Sequence, residues 1–128
     1  MLGLFLAGWV ELISGAKVIC SEANTVNYDA KVAVGASIKN RSEEWGKHPI
    51  EIMFYPRAYS NDKCSDDMLT IEHFAAYLDG KFGKGPKWTK DVFSFSHPKL
   101  YDKLHPTWSK RGLKIIKRTN KVDYWKKV

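Results

Sequence analysis

The run DAKVAVGASIKNR, residues 29–41, constrains the fold more than any other stretch of the chain. Ala30, Ala33, Val34, Gly35, Ala36 and Ser37 follow one another with hardly a bulky side chain between them. A helix that contains Gly35 gives up about 1 kcal/mol relative to one with Ala there. Such a helix is stable only where neighbouring backbones approach closely enough for packing to offset that loss. Residues 29–41 are therefore read as a central, buried helix. Asn27 or Asp29 caps its start by accepting a backbone N–H, and residues 42–49 are read as a loop.

The segment before it is also helical. Leu2, Phe5, Leu6, Trp9, Leu12, Ile13, Ala16, Ile19, Cys20 and Ala23 recur at helical spacing and form one stripe. A first helix over residues 3–23 follows, with a break expected near Gly15. The opening MLGLFLAGWV has no basic flank and no clean cleavage site, and it is too short to span a bilayer. A first helix is the preferred reading of it, with an atypical signal segment as the alternative. Beyond the central helix, PIEIMFY (49–55) is a short helix or extended piece, and 56–67 is a long polar loop. Residues 68–79 form a helix that ends at Gly80. FSFSHP is a short extended segment. LKIIKRTNKVDYW reads as two strands around Thr119-Asn120, a β-hairpin. The class is α+β, mainly helical, with a small C-terminal β-hairpin. At 128 residues the chain is long enough for one core and short for two, so a single domain over 1–128 is expected.

Charge divides the chain. Residues 1–80 carry seven Lys or Arg against eleven Asp or Glu, a net of −4. Residues 81–128 carry fourteen against three, a net of +11. A basic third of a chain implies an anionic polymer nearby, such as nucleic acid, a membrane surface or bacterial wall, unless it serves solubility alone. Lys114, Lys117, Arg118 and Lys121 surround the hairpin, with Tyr124 and Trp125 close by, yet no named nucleic-acid motif is present. Charge steering and a plain solvated face are both open.

The candidate chemistry centres on Glu22. It stands at the C-terminal end of the first helix, at the negative end of the dipole and among apolar neighbours. Both effects raise a carboxyl pKa and suit a general acid in glycosidic cleavage; the bland reading is a solvated helix end. A glycosidase usually needs a second carboxylate, and Asp29, Asp62, Asp66 and Asp67 have no fixed spacing to Glu22. Tyr59 and Ser60 offer a ring and a hydroxyl that could hold a sugar; alternatively Tyr59 is a buried anchor of its loop. His73 and His97 make no metal pair; of the two, His97, which opens a turn before Pro98, is the better site candidate. NDKCSDD lacks the Gly and the distal Glu of a calcium loop. Cys20 and Cys64 match no metal spacing; they form one disulfide, or are a buried thiol and a loop thiol. No Gly-rich phosphate loop and no serine nucleophile elbow is present.

The order of motifs is more specific than any one of them. Glu22-Ala23 is followed by AKVAVGASIKNR ending at Asn40-Arg41, then Pro56 with Tyr59-Ser60, then FAAYLDG (74–80). FSHPK (95–99), Pro106-Thr107-Trp108 and a hairpin ending in Tyr124-Trp125 complete the series. In this order the chain resembles the SleB-type cell wall hydrolase family, the spore-cortex-lytic peptidoglycan hydrolases, over nearly its whole length from about Val10. The family often continues Glu-Ala with Arg-Gly-Glu, where this chain has Asn24-Thr25-Val26. His97 and Ser94 also stand where Asn and His are usual.

The resemblance implies a lysozyme-like fold and cleavage of peptidoglycan between N-acetylmuramic acid and N-acetylglucosamine. Glu22 is then the catalytic acid, and Tyr59, Ser60 and His97 line the substrate cleft. The mechanism is that of a lytic transglycosylase or a lysozyme. The former is favoured because no partner carboxylate is visible. No metal or cofactor is implied. The expected partners are the peptidoglycan polysaccharide and anionic wall polymers, with no nucleic acid, no stable membrane insertion and a monomeric state. The expected place of action is the cell envelope or outside the cell, or the wall during phage lysis. A non-catalytic module that binds wall or nucleic acid through the basic third is the competing reading.

Overall fold

A computed structural model describes residues 2–24 and 26–128, with the side chains of 2–7 excluded. Within it the chain is α+β and mainly helical, with a small antiparallel sheet at the C-terminal end. Helix α1 (Leu2–Ala23), α2 (Tyr28–Trp45), α3 (Pro49–Met53) and α4 (Ile71–Phe82) come first. Strand β1 (Ser94–Ser96), helix α5 (Tyr101–Lys110) and strands β2 (Leu113–Arg118) and β3 (Asp123–Lys127) follow.

The small-residue run is the hub. Ala30 through Ile38 are all buried, nine consecutive positions that cover every face of α2. Asn27 caps it by accepting from Ala30 N at 2.9 Å. α4 crosses α2 at very short range. A Cβ built on Gly80 would lie 2.5 Å from Ala36 N and Val32 O, and one on Gly35 would lie 3.1 Å from Tyr77 O. α1 uses the same device. A Cβ on Gly15 would lie 2.4 Å from the Tyr77 ring, whose hydroxyl donates to Glu11 Oε2 at 2.7 Å. One core joins Val18, Ile19, Ile38, Ile52, Met53 and Tyr77. A second joins Ala30 and Ala33 of α2 to Val92 and Tyr124.

Several boundaries differ from the sequence expectation. α1 does not break at Gly15, because the glycine makes room for Tyr77 within an unbroken helix. Its inward face includes Ala16, Ile19, Cys20 and Ala23, together with Val18, but Trp9 and Ile13 are exposed. The stripe's Leu2, Phe5 and Leu6 have side chains outside the described residues. α2 continues to Trp45 and stops only at Gly46, which supplies the left-handed φ of 60° that the end requires. α4 likewise runs past Gly80 to Gly83, φ 68°. Gly80 is a packing residue, not a terminator. α5 covers a stretch to which the sequence reading assigns no element, and it holds Pro106 in its interior.

The sheet order is β1-β3-β2, both pairings antiparallel. The hairpin turns at 119–122, where Val122 N donates to Thr119 Oγ1 at 2.9 Å. β3 alternates between two partners. Tyr124 packs beside Trp88 on the α2 side, while Trp125 faces Tyr101 and Trp108 of α5. Asp123 is fully buried and accepts from Nε and one terminal nitrogen of Arg118, at 2.9 and 3.2 Å.

Gly80→Ala separates helix propensity from packing. Propensity alone favours the variant by about 1 kcal/mol. Overpacking against backbone atoms costs about 1–3 kcal/mol or more. Urea unfolding is expected to show net destabilisation; a stabilised variant would mean the two helices are not pressed together here.

Candidate active site

The polar loop after α3 lies along the last two turns of α1 and is fastened there at four points. Lys17 pairs with Asp66 at 2.5 Å. Cys20 and Cys64 form a disulfide, with Cα atoms 6.1 Å apart. Ser21 Oγ accepts from Lys63 N at 3.2 Å, and Glu22 Oε1 accepts from Ser60 N. Residues 17, 20 and 21 are neighbours on one face of a helix, so an antiparallel strap along that face reaches each in turn. The disulfide closes a loop of 44 residues. In the chain-entropy account such a loop is worth about 4 kcal/mol. The question the two cysteines leave open in sequence is thus answered by a cross-link that anchors the candidate site.

Glu22 sits in the last turn of α1, half-buried. Burial pushes its carboxyl above the ordinary value of 4.5. The Ser60 N–H, Lys63 and Arg41 pull the other way without reversing the shift. The charges that act on it are both cations. Asp66 is engaged by Lys17, Asp67 accepts from Ser65 Oγ, and Asp29 and Asp62 are exposed. Among the described residues no second carboxylate acts electrostatically on Glu22. The two carboxyl oxygens differ: Oε1 is occupied by Ser60 N, and Oε2 has no hydrogen bond among the described residues. The proton of the neutral acid therefore belongs on Oε2.

Of the two readings of Tyr59, a ring that holds a sugar and a buried anchor of its loop, the structure has the buried ring. Its ring is buried, at 9% exposure, beside Phe95 at 6.1 Å and under the Arg41 guanidinium at 4.9 Å. Its hydroxyl donates to Ser37 Oγ at 2.8 Å, because Ser37 spends its own proton on Val34 O at 2.7 Å. Tyr59 is the anchor that fixes Ser60. The Ser60 hydroxyl makes no hydrogen bond among the described residues and remains available to a ligand. His97 is exposed and caps the turn at 98–100 by accepting from Lys99 N at 3.1 Å. None of its hydrogen bonds reaches Glu22. His73 is buried, accepting from Thr70 N and donating from Nε2 to Asn24 Oδ1 at 3.0 Å; burial and Lys31 hold its pKa down.

Arg41 is the site residue not singled out by its own chemistry in sequence. Its Nε donates to Phe93 O at 2.7 Å and a terminal nitrogen to Ser94 Oγ at 2.6 Å. Asn40 beside it donates to Lys90 O and Val92 O at 2.8 and 2.9 Å. The Asn-Arg pair at the end of the small-residue run thus clamps the 90–94 segment onto α2, and Arg41 links that segment to Tyr59. Lys63 was also missed; nothing marks one lysine in a polar loop. Compared with known proteins, the chain matches no family model, no curated protein and no solved structure.

The raised pKa has a thermodynamic sign. Above 4.5 the folded state holds the Glu22 proton more tightly than the unfolded state, so this group's contribution to stability falls as pH rises towards its folded pKa. Glu22→Gln is expected to gain stability over wild type at neutral pH and to lose that advantage below 4.5. Urea unfolding across this pH range tests it; a difference independent of pH would remove the titration from Glu22.

Proposed function

We propose that the protein cleaves the glycan strand of peptidoglycan with Glu22 as its single acid and base. The observation that carries the reading is the half-buried carboxyl of Glu22, its pKa raised by burial, oriented by Ser60 N and with no carboxylate acting on it among the described residues. The resemblance in motif order, with Glu-Ala at the end of a first helix and Asn-Arg at the end of a second, points to the same residue. It carries with it a lysozyme-like arrangement for the helices.

In this mechanism Oε2–H of Glu22 protonates the bridging oxygen between N-acetylmuramic acid and N-acetylglucosamine, and the muramic C1–O bond breaks. The resulting carboxylate takes the proton of the muramic 6-hydroxyl as that oxygen closes onto C1. The product is a 1,6-anhydro ring, Glu22 is neutral again and no water is consumed. A lysozyme route would call for a second carboxylate, as base for the attacking water or as nucleophile, and none acts on Glu22 among the described residues. Ser60 Oγ would hold the sugar, and Tyr59 and Arg41 would position the strap that carries Ser60. No step calls for a metal or cofactor. The basic surface of residues 81–128 would steer the enzyme to the anionic wall.

A disulfide in this place suits work in an oxidising setting, at the envelope or outside the cell. No helix among the described residues is long and apolar enough to cross a membrane.

Loss of turbidity of purified peptidoglycan tests the reading. Glu22→Gln is expected to slow clearing by about 10²–10⁴-fold, the range for a lost general acid. Mass spectrometry of the wild-type digest is expected to show anhydro ends. Equal clearing by both proteins would remove Glu22 from the chemistry, and reducing ends would replace the transglycosylase with a lysozyme. Sedimentation with the wall without clearing by either protein would favour the non-catalytic binding module.

A further inference from the structure

We infer that a cavity formed around the Tyr55–Ala58 turn, two residues before Ser60, binds the free carboxylates of the peptide carried by the glycan, an assignment that rests on the peptidoglycan reading above. The cavity has a volume of about 310 Å³, within the range of small-ligand sites. Arg41, Arg57 and Arg111 line it, with Trp45, Tyr55 and Trp108. Lys127 also faces it, and no carboxylate does. Two other cavities each mix acids with lysines: one has Glu43, Glu44 and Asp91, the other Asp29. Of the three, this one presents a wall of a single sign.

Two of its four cations are engaged and two are available. Lys127 is within 3.9 Å of Glu44, and Arg41 is bound to backbone and Ser94. Arg57 and Arg111 have no side-chain hydrogen bond or ion pair among the described residues. The guanidinium fork matches a carboxylate with two parallel bonds. Trp45 and Tyr55 are about half exposed at the rim, with rings 6.3 Å apart. They give apolar faces for the carbons between the charged groups of a short peptide.

The backbone at Arg57 is a second, independent observation. Ala58 N donates to Tyr55 O at 3.1 Å, which closes a turn with Pro56 second and Arg57 third. Arg57 has φ 64°, and it is the one non-glycine residue with positive φ among those described. A turn whose third position has positive φ favours glycine or asparagine. This chain places an arginine there and accepts the strain, a pattern that marks functional positions. The same turn leads through Ala58 and Tyr59 to Ser60, whose N–H holds Glu22. Peptide recognition in the cavity and acid placement at Glu22 therefore share one short loop, with Arg41 between them. Peptide-bearing strands would seat the glycan with its reacting bond towards Glu22; stripped strands would lack that hold.

Tryptophan fluorescence of the full chain carrying Glu22→Gln, titrated with a disaccharide tetrapeptide, tests the inference, since Trp45 and Trp108 line the cavity. Binding is expected, and Arg57→Gly and Arg111→Gln are each expected to weaken it at least about tenfold, the loss of one charge-assisted contact. Arg57→Gly suits the positive φ, and Arg111 is exposed, so neither variant is expected to disturb folding. The same disaccharide without its peptide is expected to be insensitive to both substitutions. Four outcomes would overturn the assignment: no binding, tetrapeptide affinity unchanged in both variants, equal weakening of the peptide-free disaccharide, or displacement of the tetrapeptide by an oligonucleotide. Because Glu22→Gln removes turnover, this result stands apart from the clearing assay. Clearing without Arg57 dependence of binding would refute the peptide site alone. Binding without clearing would refute the catalytic reading alone.

Discussion

The close approach of α2 and α4 at Gly80 is the constraint on which the other positions depend. Backbone meets backbone there, so the distance between the two helices has no side-chain slack. With α2 fixed, Ser37, Asn40 and Arg41 project from known places on it. Ser37 receives the Tyr59 hydroxyl, Asn40 takes two carbonyls of the 90–92 segment, and Arg41 takes Phe93 and Ser94. Those bonds carry the strap of residues 56–66 and the edge strand into position on either side of Arg41. Glu22 is then met by Ser60 N, on a strap also fastened to α1 by the disulfide, Ser21 and Lys17.

Three lowering influences compete with one raising influence at Glu22, and burial prevails. The geometry explains the weakness of the cations. Lys63 is exposed, where water and salt screen its field. Arg41 directs its nitrogens to Phe93 O and Ser94 Oγ and lies over the Tyr59 ring, not against the carboxylate. The Ser60 N–H is the one direct contact, and it occupies a single oxygen. The carboxyl is thus oriented without being locked into an ion pair. Glu11 is the contrast in the same helix. It too is buried, yet Lys81, Tyr77 and His48 surround it and its pKa is lowered. One acid is tied up as structure, and the other is held by a single backbone N–H with its pKa shifted upwards.

Much of this architecture was legible because it depends on residue size and local pattern. The run from Ala30 to Ser37 could only be a packed helix, and the alternation around Thr119-Asn120 could only be a hairpin. The helix ends were less legible. Gly80 resembles a stop signal in sequence, yet in the fold it is a contact surface, and the choice between the two is made by α2, distant in the chain. Tyr59 shows the same limit within the site. A ring in a polar loop suits sugar or core equally, and only the Ser37 hydroxyl beneath it decides. Arg57 could not be read at all, since nothing local announces a positive φ at an arginine.

Glycan cleavage, if Glu22 performs it, requires that this carboxyl remain neutral above the pH at which an ordinary glutamate ionises. A ¹³C NMR titration of the side-chain carboxyl carbons, with the Glu22 signal identified by its absence in Glu22→Gln, measures this directly. A midpoint clearly above 4.5 is expected. A midpoint at or below 4.5 would mean that the Ser60 N–H and the two cations outweigh burial, and that position 22 holds no proton to give.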